Sequence, residues 1–205
     1  MLTRTWWWAA KPGYNVTVTN PTDSDLVAAA LAGDHAAFGL IVERHGRNVY
    51  QLCYRFTGDH ADASDLTQDV FIRAYRSLRT FRGHAALGTW LYRIAVNVSL
   101  NRLAKRSKVS PAGTRLQQLE SLSRGQRARV ASDAESPTET LLRGEEAARV
   151  RAAIARLPKK QRATLILRVY HELPHEEIAR ILGSSVGAVK ANFFHALKNL
   201  RKLLA

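Results

Sequence analysis

From Thr22 onward, apolar positions recur three and four residues apart over most of this chain, the spacing that keeps one face of an α-helix turned toward a core. Asp23 or Ser24 can cap a first helix whose inner face is Leu26, Val27, Ala30 and Leu31, and Gly33-Asp34 ends it. A second helix is predicted from about Ala36 to Phe56, with Phe38, Ile41, Val42, Val49, Leu52 and Phe56 inside and Gly58-Asp59 at its end. A third, from Asp62 to Leu78, carries Leu66, Val70, Ala74 and Leu78 on its buried side. After the loop Phe81 to Gly88, a fourth runs from Thr89 to about Lys105.

Between Ser107 and Thr140 the periodicity dissolves into Ser, Gly, Arg and Gln, with only weak Leu spacing at Leu116, Leu119 and Leu122. Helical pattern resumes at Leu141, interrupted at Leu157-Pro158, Leu173-Pro174 and Gly183. With no alternating strand run and no internal repeat, the expected fold is all-α: two small helical domains, 22–106 and 141–205, joined by a flexible linker, 107–140. Residues 1–21, with Trp6-Trp7-Trp8 and no helical period, are expected to be a disordered leader.

Charge sharpens this division. The chain carries a formal +14 with a pI near 10.6, which points to a polyanionic partner. Met1 to Val70 holds five Lys/Arg against eight Asp/Glu, whereas Phe71 to Leu100 holds five Arg and no acid. Leu141 to Ala205 holds thirteen basic and five acidic residues, so two separate basic surfaces are expected. Cys53 is the only cysteine, which excludes an intrachain disulfide and fits a small core residue. No apolar run approaches the ~20 residues of a membrane span, so no membrane insertion is expected and the location is expected to be cytoplasmic.

Pro174 to Leu204 reads as a helix-turn-helix: Ile178, Ala179 and Leu182 inward, Gly183 in the turn, Ser185 capping a second helix with Val189, Phe193, Leu197 and Leu200 inside. Such a second helix enters the major groove with its N-terminal residues at base edges and its later cations at phosphates. Here those residues are Ser184, Ser185, Lys190, Asn192 and His195, then Lys198, Arg201 and Lys202. In the fourth helix, Trp90, Tyr92 and Arg93 precede Asn97, Asn101 and Arg102, a mixture suited to stacking on unpaired bases while cations follow the backbone.

Two metal readings compete. His171-Glu172-Leu173-Pro174-His175 matches H-E-x-x-H, but that chemistry needs one uninterrupted helix, and Pro174 lies between the two His. Asp59, Asp62, Asp65 and Asp69 could in principle hold a divalent ion, but helix N-termini attract acids anyway, and the group reads as an acid-rich first turn and an exposed face. No cofactor, metal or catalytic residue is therefore assigned. A metal-dependent hydrolase using His171, Glu172 and His175 is the rival from another class, and a regulator acting on DNA alone is the nearer one.

Asp65-Leu66-Thr67-Gln68-Asp69-Val70-Phe71-Ile72-Arg73-Ala74-Tyr75, then Phe81-Arg82-Gly83 and Thr89-Trp90-Leu91-Tyr92-Arg93-Ile94-Ala95-Val96-Asn97, closely resembles region 2 of extracytoplasmic-function (ECF) sigma factors, within the sigma-70 family. Leu157-Pro158 to Leu200, with Glu176-Glu177-Ile178-Ala179 and Val186-Gly187-Ala188-Val189-Lys190, resembles their region 4. The resemblance implies a noncatalytic subunit that binds core RNA polymerase, recognises promoter DNA and promotes its opening. Asp65, Gln68, Asp69, Arg73 and Arg76 would meet the clamp helices of the largest subunit. Phe81, Arg82, Leu87, Trp90, Arg93, Asn97, Asn101 and Arg102 would serve the −10 element, with capture of a flipped base. The helix-turn-helix would read the −35 element and touch the flap of the second-largest subunit, the linker would thread the cleft, and an anti-sigma factor would hold the protein inactive. Gly88, where the family often has a bulky residue, and Asn192, where it often has Arg, bear on DNA preference.

Overall fold

The computed structural model describes the backbone of residues 21–109 and 137–205, and the side chains of residues 21–105 and 145–205. The leader and most of the predicted linker, including Leu116, Leu119 and Leu122, lie outside the described residues. Among those described there are eight α-helices and no strand: α1 (Asp23–Leu31), α2 (His35–Thr57), α3 (His60–Ser77), α4 (Leu87–Val109), α5 (Pro137–Arg156), α6 (Lys159–Tyr170), α7 (His175–Leu182) and α8 (Val186–Leu204). A 3₁₀ turn, Leu78–Thr80, follows α3. No described helix is long and apolar enough to cross a membrane.

The helix ends follow side-chain chemistry. Thr22, rather than Asp23 or Ser24, caps α1: its hydroxyl accepts from Asp25 N–H, while the Asp25 carboxylate takes the Thr22 N–H at 2.9 Å. Asp34 caps α2 through Ala36 N–H at 2.9 Å, and Asp59 caps α3 through Asp62 N–H at 2.8 Å. Gly58 and Gly183 close α2 and α7 in the left-handed conformation, at φ 70° and 56°. Helix α4 extends past both predicted ends and α5 starts before Leu141.

The N-terminal body packs α2, α3 and α4 around Ile41, Leu52, Cys53, Val70, Leu91 and Ala95, all wholly buried. Each of the Ile, Leu and Val side chains among them contributes roughly 1.5–3 kcal/mol on leaving water. Helix α1 is tied to α2 by Asp23, which accepts from Arg44 at 2.6 Å and lies 3.0 Å from His45 Nε2. Burial raises the Cys53 thiol pKa and keeps the thiol neutral.

The C-terminal body is α6, α7 and α8 around Ile166, Leu167, Ile178, Val189 and Ala196, with α5 against α8. The inner stripe of α8 departs from its expected course. Ala196 is buried, whereas Leu197 is 47% and Phe194 65% exposed. Ala196 stands seven residues, about two turns, beyond the buried Val189 and so shares its face, whereas an eighth residue carries Leu197 about 80° round the helix.

The two bodies also meet. The buried residues form one cluster running through both, with α4 against α7 and α2 against α6.

Candidate polymerase and nucleic-acid interfaces

On α3, Asp65, Gln68, Arg73 and Arg76 stand exposed, as their position off the Leu66–Val70–Ala74 stripe requires. Asp69 is partly exposed and bonds Arg73 Nε at 2.9 Å, a helix-turn pair that raises the Arg73 pKa. Beside this polar row lies a groove of about 660 Å³ between α2 and α3, walled by Phe38, Val42, Phe71, Ile72 and Tyr75. Ile72 and Tyr75 are nearly half exposed, and Tyr75 meets Phe38 edge-on at 5.0 Å and His35 Nδ1 at 2.9 Å. This apolar component was missed in the polar residues picked from sequence. Its signal was present: Ile72 and Tyr75, three apart, fall outside the buried stripe.

Helix α4 divides its faces. Leu91, Ala95 and Val98 point into the core, and Arg93, Asn97 and Asn101 repeat every four residues on the open side. Trp90 is half-buried, its ring 5.5 Å from Phe81, which is itself half-buried, while Arg82 is exposed. Leu87 opens α4 rather than standing in the loop before it, and is 2% exposed, on the wall of the pocket beside that loop. Arg102 is 45% exposed, and its Nη2 bonds Oδ1 of Asp62 at 3.1 Å. Asp62 is accordingly buried rather than part of an exposed acidic face. A second pocket, about 600 Å³, opens between the start of α1 and the 81–87 loop, with Thr22, Ser24, Arg44, Phe81 and Gly83 on its walls. Gly88 faces the His45 ring, 3.8 Å from where a Cβ would stand.

In the helix-turn-helix, Pro174 sits just before α7 as its N-cap, and Ser185 caps α8 by accepting from Ala188 N–H at 3.2 Å. The Ser185 hydroxyl is thus engaged with its own helix. Lys190, His195 and Lys198 are exposed, and Ser184 and Asn192 are partly so. His171 and His175 do not share a helix: His171 follows α6, residues 171–174 turn, and His175 opens α7. Glu172 in that turn has φ 54°, a left-handed conformation incompatible with helix continuing through it. The side-by-side imidazoles of H-E-x-x-H are therefore not formed.

The same turn meets the N-terminal body. Tyr92 of α4 places its hydroxyl 3.1 Å from His171 Nδ1, Thr89 donates its hydroxyl to Glu177, and Arg55 of α2 lies 4.0 Å over the Tyr170 ring. Burial, with the Arg55 charge nearby, lowers the His171 pKa to about 4, and its Nε2 is buried without a partner. Burial and the Glu177 charge raise that of Tyr92.

The sigma-70 region 2 family matches residues 41–109, and the sigma-70 region 4 family matches residues 147–200. The chain is 36% identical over 187 residues to the RNA polymerase sigma-H factor of Pseudomonas aeruginosa, covering 91% of this chain and 96% of that protein. It is 33% identical over 172 residues to the ECF RNA polymerase sigma factor SigW of Bacillus subtilis, covering 84% and 91%. With the ECF RNA polymerase sigma-E factor of Escherichia coli the identity is 36% over 176 residues, covering 85% and 90%. Among solved structures it is similar to CnrH in complex with the cytosolic domain of CnrY, with TM-score 0.59 and 26% identity over 87% of this chain and 94% of that one. It shares the fold of the sigma factor RpoE of Bartonella quintana, solved with the anti-sigma factor NepR, at TM-score 0.56 and 21% identity, covering 82% and 96%.

Proposed function

This chain belongs to the ECF sigma factors of the sigma-70 family, and from that premise we propose how its surfaces share the work of promoter recognition. Residues 22–106 form the unit that docks on core RNA polymerase and serves the −10 element; residues 141–205 form the unit that reads the −35 element. The observation that carries this is the pairing, in one chain, of two helical bodies that each present a cationic and amide-bearing face beside a packed core.

Docking uses the α3 row Asp65, Gln68, Asp69, Arg73 and Arg76 on the clamp helices of the largest subunit, with the Phe38–Ile72–Tyr75 groove supplying apolar area. A charged rim around an apolar centre is how protein interfaces combine orientation with affinity. At the −10 element, Arg93, Asn97 and Asn101 follow the unpaired strand, Phe81, Arg82 and Trp90 flank it, and the pocket beside the 81–87 loop suits an extruded base. At the −35 element Lys190, Asn192 and His195 face base edges, Ser184 and Lys198 flank them, and α8 also meets the flap of the second-largest subunit. Binding energy from these contacts opens the duplex, and polymerase performs the nucleotidyl transfer. The protein works where polymerase does, in the cytoplasm. An anti-sigma factor is its expected regulator, in line with the NepR complex of its fold neighbour.

Run-off transcription on fragmented genomic DNA, using core polymerase with and without this protein, tests the reading. Discrete new transcripts sharing −35 and −10 sequences are expected. Their absence, with polymerase active on another sigma factor, would overturn it. In the same assay Asn192→Ala is expected to relax −35 selection while leaving affinity for core polymerase unchanged.

A further inference from the structure

The groove between α2 and α3 is walled by four aromatic residues, Phe38, Tyr50, Phe71 and Tyr75, and Tyr75 and Ile72 are nearly half exposed at its lip. Gly46 lies on its α2 wall, and no atom stands within 4 Å of where a Cβ would be, so the groove is open at that point. Aromatic walls are best covered by further rings, which bury about 150–250 Å² each and pack edge-on or offset against one another.

The chain supplies such rings close by. Three of its four tryptophans are adjacent, Trp6-Trp7-Trp8, in the stretch that precedes the described residues. That stretch joins the structure at α2, where Arg44 Nη2 donates to the Pro21 carbonyl at 2.7 Å. Val42 and Gly46, two residues before and two after Arg44, both line the groove. Two residues turn a helix by about 200°, so the entry point and the groove lie on opposite sides of the same stretch of α2. A helix is about 10–12 Å across with its side chains, and residues 9–20 can span about 40 Å. The tryptophans therefore reach the groove with chain to spare. The other pocket near the entry point, beside the 81–87 loop, has Phe81 as its one aromatic residue, with Asp23, Arg44 and the hydroxyls of Thr22 and Ser24 around it, and suits indoles less.

We propose that Trp6-Trp7-Trp8 seat in the α2–α3 groove of their own chain, as a tethered ligand of the surface that docks on polymerase. A tether of this length holds them at an effective concentration on the order of millimolar, so contacts of sub-millimolar strength keep the groove occupied. Polymerase needs the same groove, so a docking-competent molecule is one whose tryptophans have left it. That consequence, unlike the seat itself, rests on the assignment of the groove to the clamp helices.

Tryptophan emission of the free full-length protein reads the seat. Subtracting the signal of a variant carrying Trp6→Ser, Trp7→Ser and Trp8→Ser, which keeps Trp90, isolates the three adjacent rings. They are expected to emit to the blue of a synthetic peptide of residues 1–20 and to lose most of its quenching by acrylamide. Gly46→Leu, which places a side chain in the open groove, should return both readings to those of the peptide, with helix content by circular dichroism unchanged. In titration with core polymerase the triple variant should bind about tenfold more tightly, the gain expected where about a tenth of the wild type is competent. Rings as quenchable as those of the peptide would overturn the seat, as would a blue shift that Gly46→Leu leaves in place. A blue shift lost on dilution would overturn it in favour of the groove of a second copy. One that appears only with anionic phosphatidylglycerol vesicles would overturn it in favour of a membrane surface. Protected rings that Gly46→Leu releases, with no gain in polymerase affinity for the triple variant, would uphold the seat and sink instead the assignment of the groove to polymerase.

Discussion

Arg102 is claimed by two demands at once: its guanidinium bonds the buried Asp62 and also borders the open face of α4. Removing it deprives the buried carboxylate of a charged partner, so Arg102→Ala should lower unfolding stability by about 1–2 kcal/mol in urea denaturation. Asn97→Ala, on the exposed face, should stay within about 0.5 kcal/mol of wild type while weakening −10 recognition in a promoter-binding assay. His171 makes a different kind of demand. Its pKa falls from an ordinary 6.5 to about 4 where the two bodies meet, because burial and then Arg55 disfavour the imidazolium. Around it stand Tyr92 from α4, Arg55 from α2, Tyr170 and Arg168 from α6, and Glu172, His175 and Glu177 along its own turn and α7. Since the folded protein binds this proton more weakly than a free histidine does, the stability from a neutral His171 is complete above pH 6.5 and lost as pH falls toward 4. Scattering between pH 8 and pH 4 should therefore show the bodies separating within that window, and His171→Phe should flatten the dependence. A wild-type profile unchanged by that substitution would assign the transition to other groups.

At the scale of single helices, much was legible before any coordinates. The 3.6-residue period gave the course of α2 and α3, and Gly58, Gly183 and Ser185 announced their turns and caps, because these effects are local. Local rules are also where the reading slipped. Leu87 falls in the predicted loop, not in α4, because nothing nearby marks a cap, and the expected α8 stripe runs to Leu197 where two turns from Val189 lead to Ala196. Asp62 looked like one more acid on an exposed face, since its partner Arg102 lies forty residues away. The local features that did survive predict their own costs. Gly183 at φ 56° has nothing within 4 Å of a would-be Cβ, so Gly183→Ala should destabilise by about 1–2 kcal/mol through backbone strain alone. Ser185→Ala should cost about 1 kcal/mol through the lost cap. Thermal unfolding of the full chain checks both; a neutral Gly183→Ala would mean that the turn relaxes to another conformation.

For the whole molecule, what was hidden in the sequence is the meeting of the two bodies, because His171, Glu177, Thr89 and Tyr92 form no local pattern and are joined only by the fold. The division of charge, by contrast, was open to view: an acidic stretch before Val70, then two basic surfaces. Its consequence is a salt dependence that can be separated by site. Each phosphate neutralised by a lysine releases counterions, and the slope of log affinity against log salt falls by about 0.9 per duplex contact. With polymerase bound to promoter DNA, Lys198→Ala, which removes a flanking cation, should reduce that slope by about one. A residue reading bases should instead relax sequence choice without moving the slope much. Glu177→Gln belongs to neither class, since Glu177 accepts from Thr89 and is not among the proposed DNA contacts, so it should leave the slope of the assembled complex unchanged. A slope altered by Glu177→Gln in that complex would place this carboxylate next to DNA during initiation, and α7, not only α8, would then line the promoter.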